Sequence, residues 1–171
     1  MQLNPYGEYA VLLASSLANA WPLDRDGIEE RTREVGMTMP FPSLPDDHAK
    51  VRLVIDDWLE VVDAPSDRER AQLLNLQLAS AATHPRLVDH DNEGWHLHYR
   101  DDGQSMPQVL RSVICTGTAL HLTTRGMHRL HRCEASPCAN VVVDVTRNGR
   151  QRFCWGRCAN RAAVRRHRAR A

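Results

Sequence analysis

The chain has 171 residues, 42% hydrophobic and 25% charged, which allows a buried core and excludes a disordered or membrane-embedded protein. Only 5% are aromatic, so an aliphatic core is expected. The net charge of +1 hides a division: residues 125–171 hold 12 Arg against Glu134 and Asp144, net +10, while residues 1–124 are net −9. Such asymmetry implies an acidic body, 1–124, carrying a basic module, 125–171, that seeks a polyanion.

In chain order, Tyr6–Asn19 reads as a helix with Val11, Leu12 and Leu17 along one stripe, ended by Trp21-Pro22. Its apolar run closes on Ala18-Asn19-Ala20, which mimics a signal-peptidase site. No Lys or Arg precedes it and Glu8 stands where positive charge belongs, so a cytoplasmic protein is expected. No stretch reaches the length of a transmembrane helix, and no membrane partner is expected. A short helix follows from Asp24, with Asp24 or Asp26 as cap and Gly36 as stop. Three prolines make Met37 to Pro45 a loop. From Asp46 to Val62, Val51, Val54, Ile55, Trp58, Leu59 and Val62 recur at helical spacing. Pro65 opens another helix through Leu73, Leu74, Leu76, Gln77 and Leu78 to Thr83. The period then changes: Leu87-Val88-Asp89 and Trp95-His96-Leu97-His98-Tyr99 flank Asn92-Glu93-Gly94 as a hairpin, with Trp95, Leu97 and Tyr99 on one face. Met106 to Thr124 returns to helix, and Cys115 within it reads as an inert core thiol. The body is thus mainly α with a small β-hairpin.

The remaining cysteines form two pairs, Cys133 with Cys138 and Cys154 with Cys158, fifteen residues apart. Two close thiol pairs from separate segments supply the tetrahedron that zinc prefers. In a reducing compartment such pairs mean metal more often than disulfide. Three cysteines plus His128 or His131 is the variant ligand set. Val141-Val142-Val143 reads as a strand, Asn148-Gly149 as a hairpin turn, and Arg152-Phe153 as the return strand. From Arg157 a helix is expected, giving a treble-clef-like four-cysteine finger. About 40 residues cannot bury enough apolar surface alone, so one structural Zn2+ would supply much of the folding free energy.

Cys133, Cys138, Asp144, Thr146-Arg147-Asn148, Phe153 before Cys154, Cys158-Ala159-Asn160-Arg161 and the arginine-rich ending resemble the CGNR zinc finger of bacterial proteins. Ala159 stands where that family has its glycine, and the last cysteine pair is one residue closer than in many members. In those proteins the N-terminal half is the helical ABATE domain, which residues 1–124 resemble in plan. The resemblance implies a bacterial transcription regulator, and the near-exclusive use of Arg over Lys fits a GC-rich bacterial genome.

At 100° per residue, Arg157, Arg161, Arg165 and Arg168 share an arc of about 80° on the final helix. Arg147, Arg150 and Arg152 add charge from the hairpin, and Asn160 can read adenine or can cap or brace the hairpin. These residues are the expected contacts to duplex DNA. The alternatives are docking of an acidic protein partner, RNA binding, or attraction to the chain's own acidic body. His96 and His98 on one strand face form a second, weaker metal candidate. Asp56-Asp57 and Asp89-His90-Asp91 carry no partner motif for catalysis, and no phosphate loop or nucleophile elbow occurs. No enzyme is expected. The body is left for sensing a small-molecule effector, for homodimerisation, or for contact with a protein partner.

Overall fold

Residues 7–37, 44–81, 83–89 and 95–170 are described by the computed structural model, in the order α1 (Glu8–Ala20), α2 (Arg25–Glu34), α3 (Asp47–Asp63), α4 (Asp67–Ala81), β1 (Arg86–Val88), β2 (His96–His98), α5 (Met106–Arg125), a 3-10 turn (Met127–Arg129), β3 (Leu130–Arg132), β4 (Val141–Val143) and α6 (Gly156–Arg168). The helices α1, α3 and α4 all pack on α5, the central element. A capping box between Ser105 and Gln108 starts α5, and Val109, Leu110, Ile114, Cys115 and Leu122 are buried along it. Burial pushes the Cys115 thiol up to about 12, as an inert core thiol requires. The α3 stripe also lies inside: Val51, Val54, Ile55, Trp58 and Val62 are buried. Trp58, wholly enclosed, satisfies its indole by donating to Thr118 Oγ1 of α5 at 3.0 Å. Asp24 caps α2 by accepting from the Gly27 amide at 2.9 Å.

Backbone meets backbone where α1 crosses α5. A Cβ placed on Gly117 would lie 2.3 Å from the Ala10 Cβ, so only glycine permits this approach. Replacing Gly117 by Val is therefore expected to cost about 3 kcal/mol or more, read as a lowered urea midpoint at unchanged slope.

Arg70 of α4 is a buried tie that sequence reasoning did not single out. It donates to the Val61 and Val62 carbonyls, each at 3.0 Å, and so caps the end of α3, and it also donates to the Met127 carbonyl. The expected hairpin forms with Leu87 opposite Leu97, and its Trp95 and Leu97 are exposed. The Asn92-Glu93-Gly94 turn, and most of the Met37 to Pro45 loop, lie outside the described residues.

The C-terminal region departs from expectation in its strand pairing. Val141–Val143 pairs antiparallel with Leu130–Arg132, and no strand forms at Arg152-Phe153. The alternation of β4 explains the choice. Val141 and Val143 enter the helical core with Leu130, whereas Val142 joins Cys133, Ala135 and Cys158 on the other face. One three-residue strand thus seals two cores. The Asn19 side chain of α1 extends β4 by accepting from the Val141 amide at 2.7 Å and donating to its carbonyl at 2.9 Å. Arg132 of β3 forms a two-pronged bridge to Asp63 at the end of α3, both contacts at 2.7 Å. Among the described residues, no helix is long and apolar enough to cross a membrane.

Candidate metal centre and arginine-bearing helix

The knuckle between β3 and β4 brings the first cysteine pair together: the Cys133 amide donates to Asn140 O at 2.8 Å and the Cys138 amide to Ala135 O at 2.7 Å. Cys154 arrives on the extended segment before α6, and Cys158 sits in that helix's first turn. The four Sγ atoms all lie within 4.8 Å of one another. Cys138 Sγ is 3.6 Å from Cys154 Sγ, which is 3.7 Å from Cys158 Sγ. These separations are too long for a disulfide near 2.05 Å, and they match the edge of a tetrahedron with zinc–sulfur bonds of about 2.3 Å. The donor set fits one structural zinc ion.

The electrostatics make the same demand. Burial opposes ionisation of Cys133, yet the amides of Ala135 and Cys154 directed at its sulfur outweigh it and hold the thiol below its ordinary pKa. Burial and the neighbouring cysteines push Cys154 up to about 12. All four sulfurs can therefore ionise together only around a cation at their centre. Bonds to sulfur moderate their charge: the Cys154 amide donates to Cys133 Sγ at 3.4 Å, and Arg161 Nη2 donates to Cys158 Sγ at 3.3 Å. The variant histidine set does not form. Both His131 ring nitrogens face carbonyls, Arg132 O at 2.8 Å and Gln151 O at 2.9 Å, and His128 is not in the cluster.

The segment from Asp144 to Gln151 is a loop built on one buried carboxylate. Asp144 accepts from the Thr146 amide and the Gln151 amide, each at 2.9 Å, and from the Thr146 hydroxyl. Asn148 Oδ1 lies 3.0 Å from Thr146 Oγ1 and accepts from the Arg150 amide at 3.3 Å, so Thr146 and Asn148 hold the loop in shape. Arg129, nearly buried, donates to the Asp144 and Thr146 carbonyls and lies 3.6 Å from the Asp144 carboxylate. Gly149, at φ 65°, lets the chain pass over that guanidinium: a Cβ there would come within 2.7 Å of it. Asp144→Ala strands Arg129 and is expected to cost about 3–5 kcal/mol, visible as loss of bound zinc at a chelator concentration the parent withstands.

Residues 129–171 match the CGNR zinc finger family. The matched region begins at Arg129, the anchor of the loop, and contains all four clustered cysteines. No curated protein matches the chain.

Within the matched region the expected arginines divide into two groups. Arg147 and Arg150 project from the loop, and Arg157, Asn160, Arg161, Arg165 and Arg168 are exposed on α6. None of these arginines has a carboxylate within ion-pair distance among the described residues. Arg152 differs, since it is held by Glu134 and lies over the Phe153 ring at 5.8 Å. Arg125, Arg129 and Arg132 pair with Glu8, Asp144 and Asp63, so part of the +10 excess is internal structure. Sequence reasoning missed those ties because a basic residue in a charge run carries no mark of its partner. Asn160 makes no brace among the described residues.

Asp56 pairs with Arg52 one helical turn away, and Asp57 with Arg111 of α5. His90, Asp91 and the His96 side chain fall outside the described residues.

Proposed function

We propose that the protein is a zinc-dependent DNA-binding regulator of a bacterial cytoplasm, its CGNR finger presenting α6 and the Asp144–Gln151 loop to duplex DNA. What carries this reading is an exposed arginine set, without carboxylate partners among the described residues, on a helix anchored by Cys158: Arg157, Arg161, Arg165 and Arg168, with Arg147 and Arg150 beside them. Solvated helix faces ordinarily mix signs, whereas α6 contains no acidic residue. Arginines held on one rigid surface neutralise phosphates and direct guanidinium forks at guanine edges. A single small finger makes few base contacts, so a homodimer would supply the remaining interface area.

Metal chemistry favours binding over catalysis. Bound by Cys133, Cys138, Cys154 and Cys158, a zinc ion would have four protein ligands and would serve a structural role. The ABATE-like helical body would serve sensing, dimerisation or partner contact. Attraction to the chain's own acidic body is disfavoured, because the finger's ion pair to that body runs through Arg132 and Asp63, and among the described residues no arginine of α6 forms one. Trp155, 70% exposed at the start of α6, favours single-stranded RNA as the second reading, since exposed aromatics stack on unpaired bases. Gel shifts over a salt series with duplex DNA and single-stranded RNA test both. The first reading expects duplex binding that weakens steeply with salt, and absence of duplex binding at low salt would overturn it.

A further inference from the structure

Beside the cysteine cage lies a groove of about 330 Å³ between the knuckle, the segment before Cys154 and α6. Its apolar floor is Ala135, Phe153 and Ala162, and its rim carries Glu134, Arg152, Arg165 and Arg166. Three guanidiniums therefore face one carboxylate, and that carboxylate is already engaged by Arg152. Two of the three are fixed in place before any ligand arrives. Arg152 is clamped by Glu134 over the Phe153 ring, and Arg165 Nη1 donates to Ser136 O at 3.1 Å. Arg166 has no carboxylate partner among the described residues.

We propose that this groove binds one 5′-nucleotide, with its phosphate between Arg165 and Arg166 and its base against the Arg152–Phe153 stack. The charge calls for an anion, because neither Arg165 nor Arg166 has a carboxylate partner among the described residues. The size calls for more than a lone ion: the volume lies at the small end of ligand pockets, roughly 300–1,000 Å³, beyond what inorganic phosphate fills. The floor calls for a flat body, since bases stack on both aromatic rings and guanidinium planes. The nucleotide is either free or one unit of a single strand, which share this chemistry. The groove shares Arg152 and Arg165 with the residues expected to contact duplex DNA, and Arg166 lies outside that set, so a variant at Arg166 distinguishes the two.

Calorimetric titration of the zinc-loaded full chain with AMP, adenosine, inorganic phosphate and a tetranucleotide tests the proposal. AMP or the tetranucleotide is expected to bind at least tenfold more tightly than either adenosine or phosphate. The tighter of the two identifies the source. Arg166→Ala is expected to weaken that binding tenfold or more. Arg170→Ala, the same charge change in the same module but outside the groove, is expected to leave it within twofold. Zinc content of each variant verifies the fold. Phosphate binding as tightly as both nucleotides, no nucleotide binding at all, or equal losses from the two variants would overturn the proposal.

Discussion

Stripping the metal is expected to melt the helical body together with the finger. The reason is β4, whose Val141 and Val143 lie in the same buried cluster as α1, α3 and α5, while Val142 packs against the cysteines. Without the cation, mutual repulsion of the thiolates or their protonation releases the knuckle, and the β3–β4 pair loses the turn that closes it. Leu130, Val141 and Val143 then leave the core at about 1.5–3 kcal/mol each. Their sum, roughly 4.5–9 kcal/mol, is comparable with the stability of a whole domain. Helical circular dichroism followed through a thermal ramp is expected to show one transition, lowered by more than about 10 °C in chelator. A body transition unmoved by complete zinc loss would show that the hairpin holds without its metal. Thiol titration gives an independent measure: Cys133, Cys138, Cys154 and Cys158 become reactive on chelation, while Cys115, buried with its pKa at about 12, reacts only as α5 unfolds.

The second large effect concerns DNA. Arg157→Ala combined with Arg168→Ala removes two exposed guanidiniums that make no side-chain hydrogen bond or ion pair among the described residues. Fitted against salt, log affinity for a duplex is expected to fall less steeply by about two units of slope, with roughly ten- to hundredfold weaker binding at low salt. Zinc content and melting temperature are expected to stay at parental values. Arg132→Ala differs in kind, because that guanidinium serves Asp63 and Ala139 O, and its loss acts through folding. An unchanged salt slope in the double variant would remove α6 from the DNA surface.

The contrast between those arginines shows where sequence reading succeeds and where it stops. Helical periodicity located α1, α3 and α5, because Val51, Val54, Ile55 and Trp58 must share a face if they share a core. Thiol spacing located the metal cage, because four soft ligands in two short pairs have few other uses. Strand partnership was not legible at this level. Arg152-Phe153 and Leu130-His131-Arg132 both stand beside Val141–Val143 as plausible mates, and the choice was made by a helical core that a local reading of the finger leaves out. Arginine roles were likewise hidden. Arg129 and Arg147 look alike in a basic run, yet one is buried against Asp144 and the other projects into solvent. Asn148-Gly149 announced a turn correctly, but its purpose, closing a loop over Arg129 and not a two-stranded hairpin, depends on the buried Asp144 carboxylate.

Zinc K-edge X-ray absorption on the purified full chain addresses the foundation most directly. One zinc per chain with four sulfur neighbours at about 2.3 Å is the expected result, and it would tie the four clustered thiols to the shape of the finger. Absence of metal, or a first shell containing nitrogen or oxygen, would contradict the tetrathiolate centre on which the placement of α6 rests.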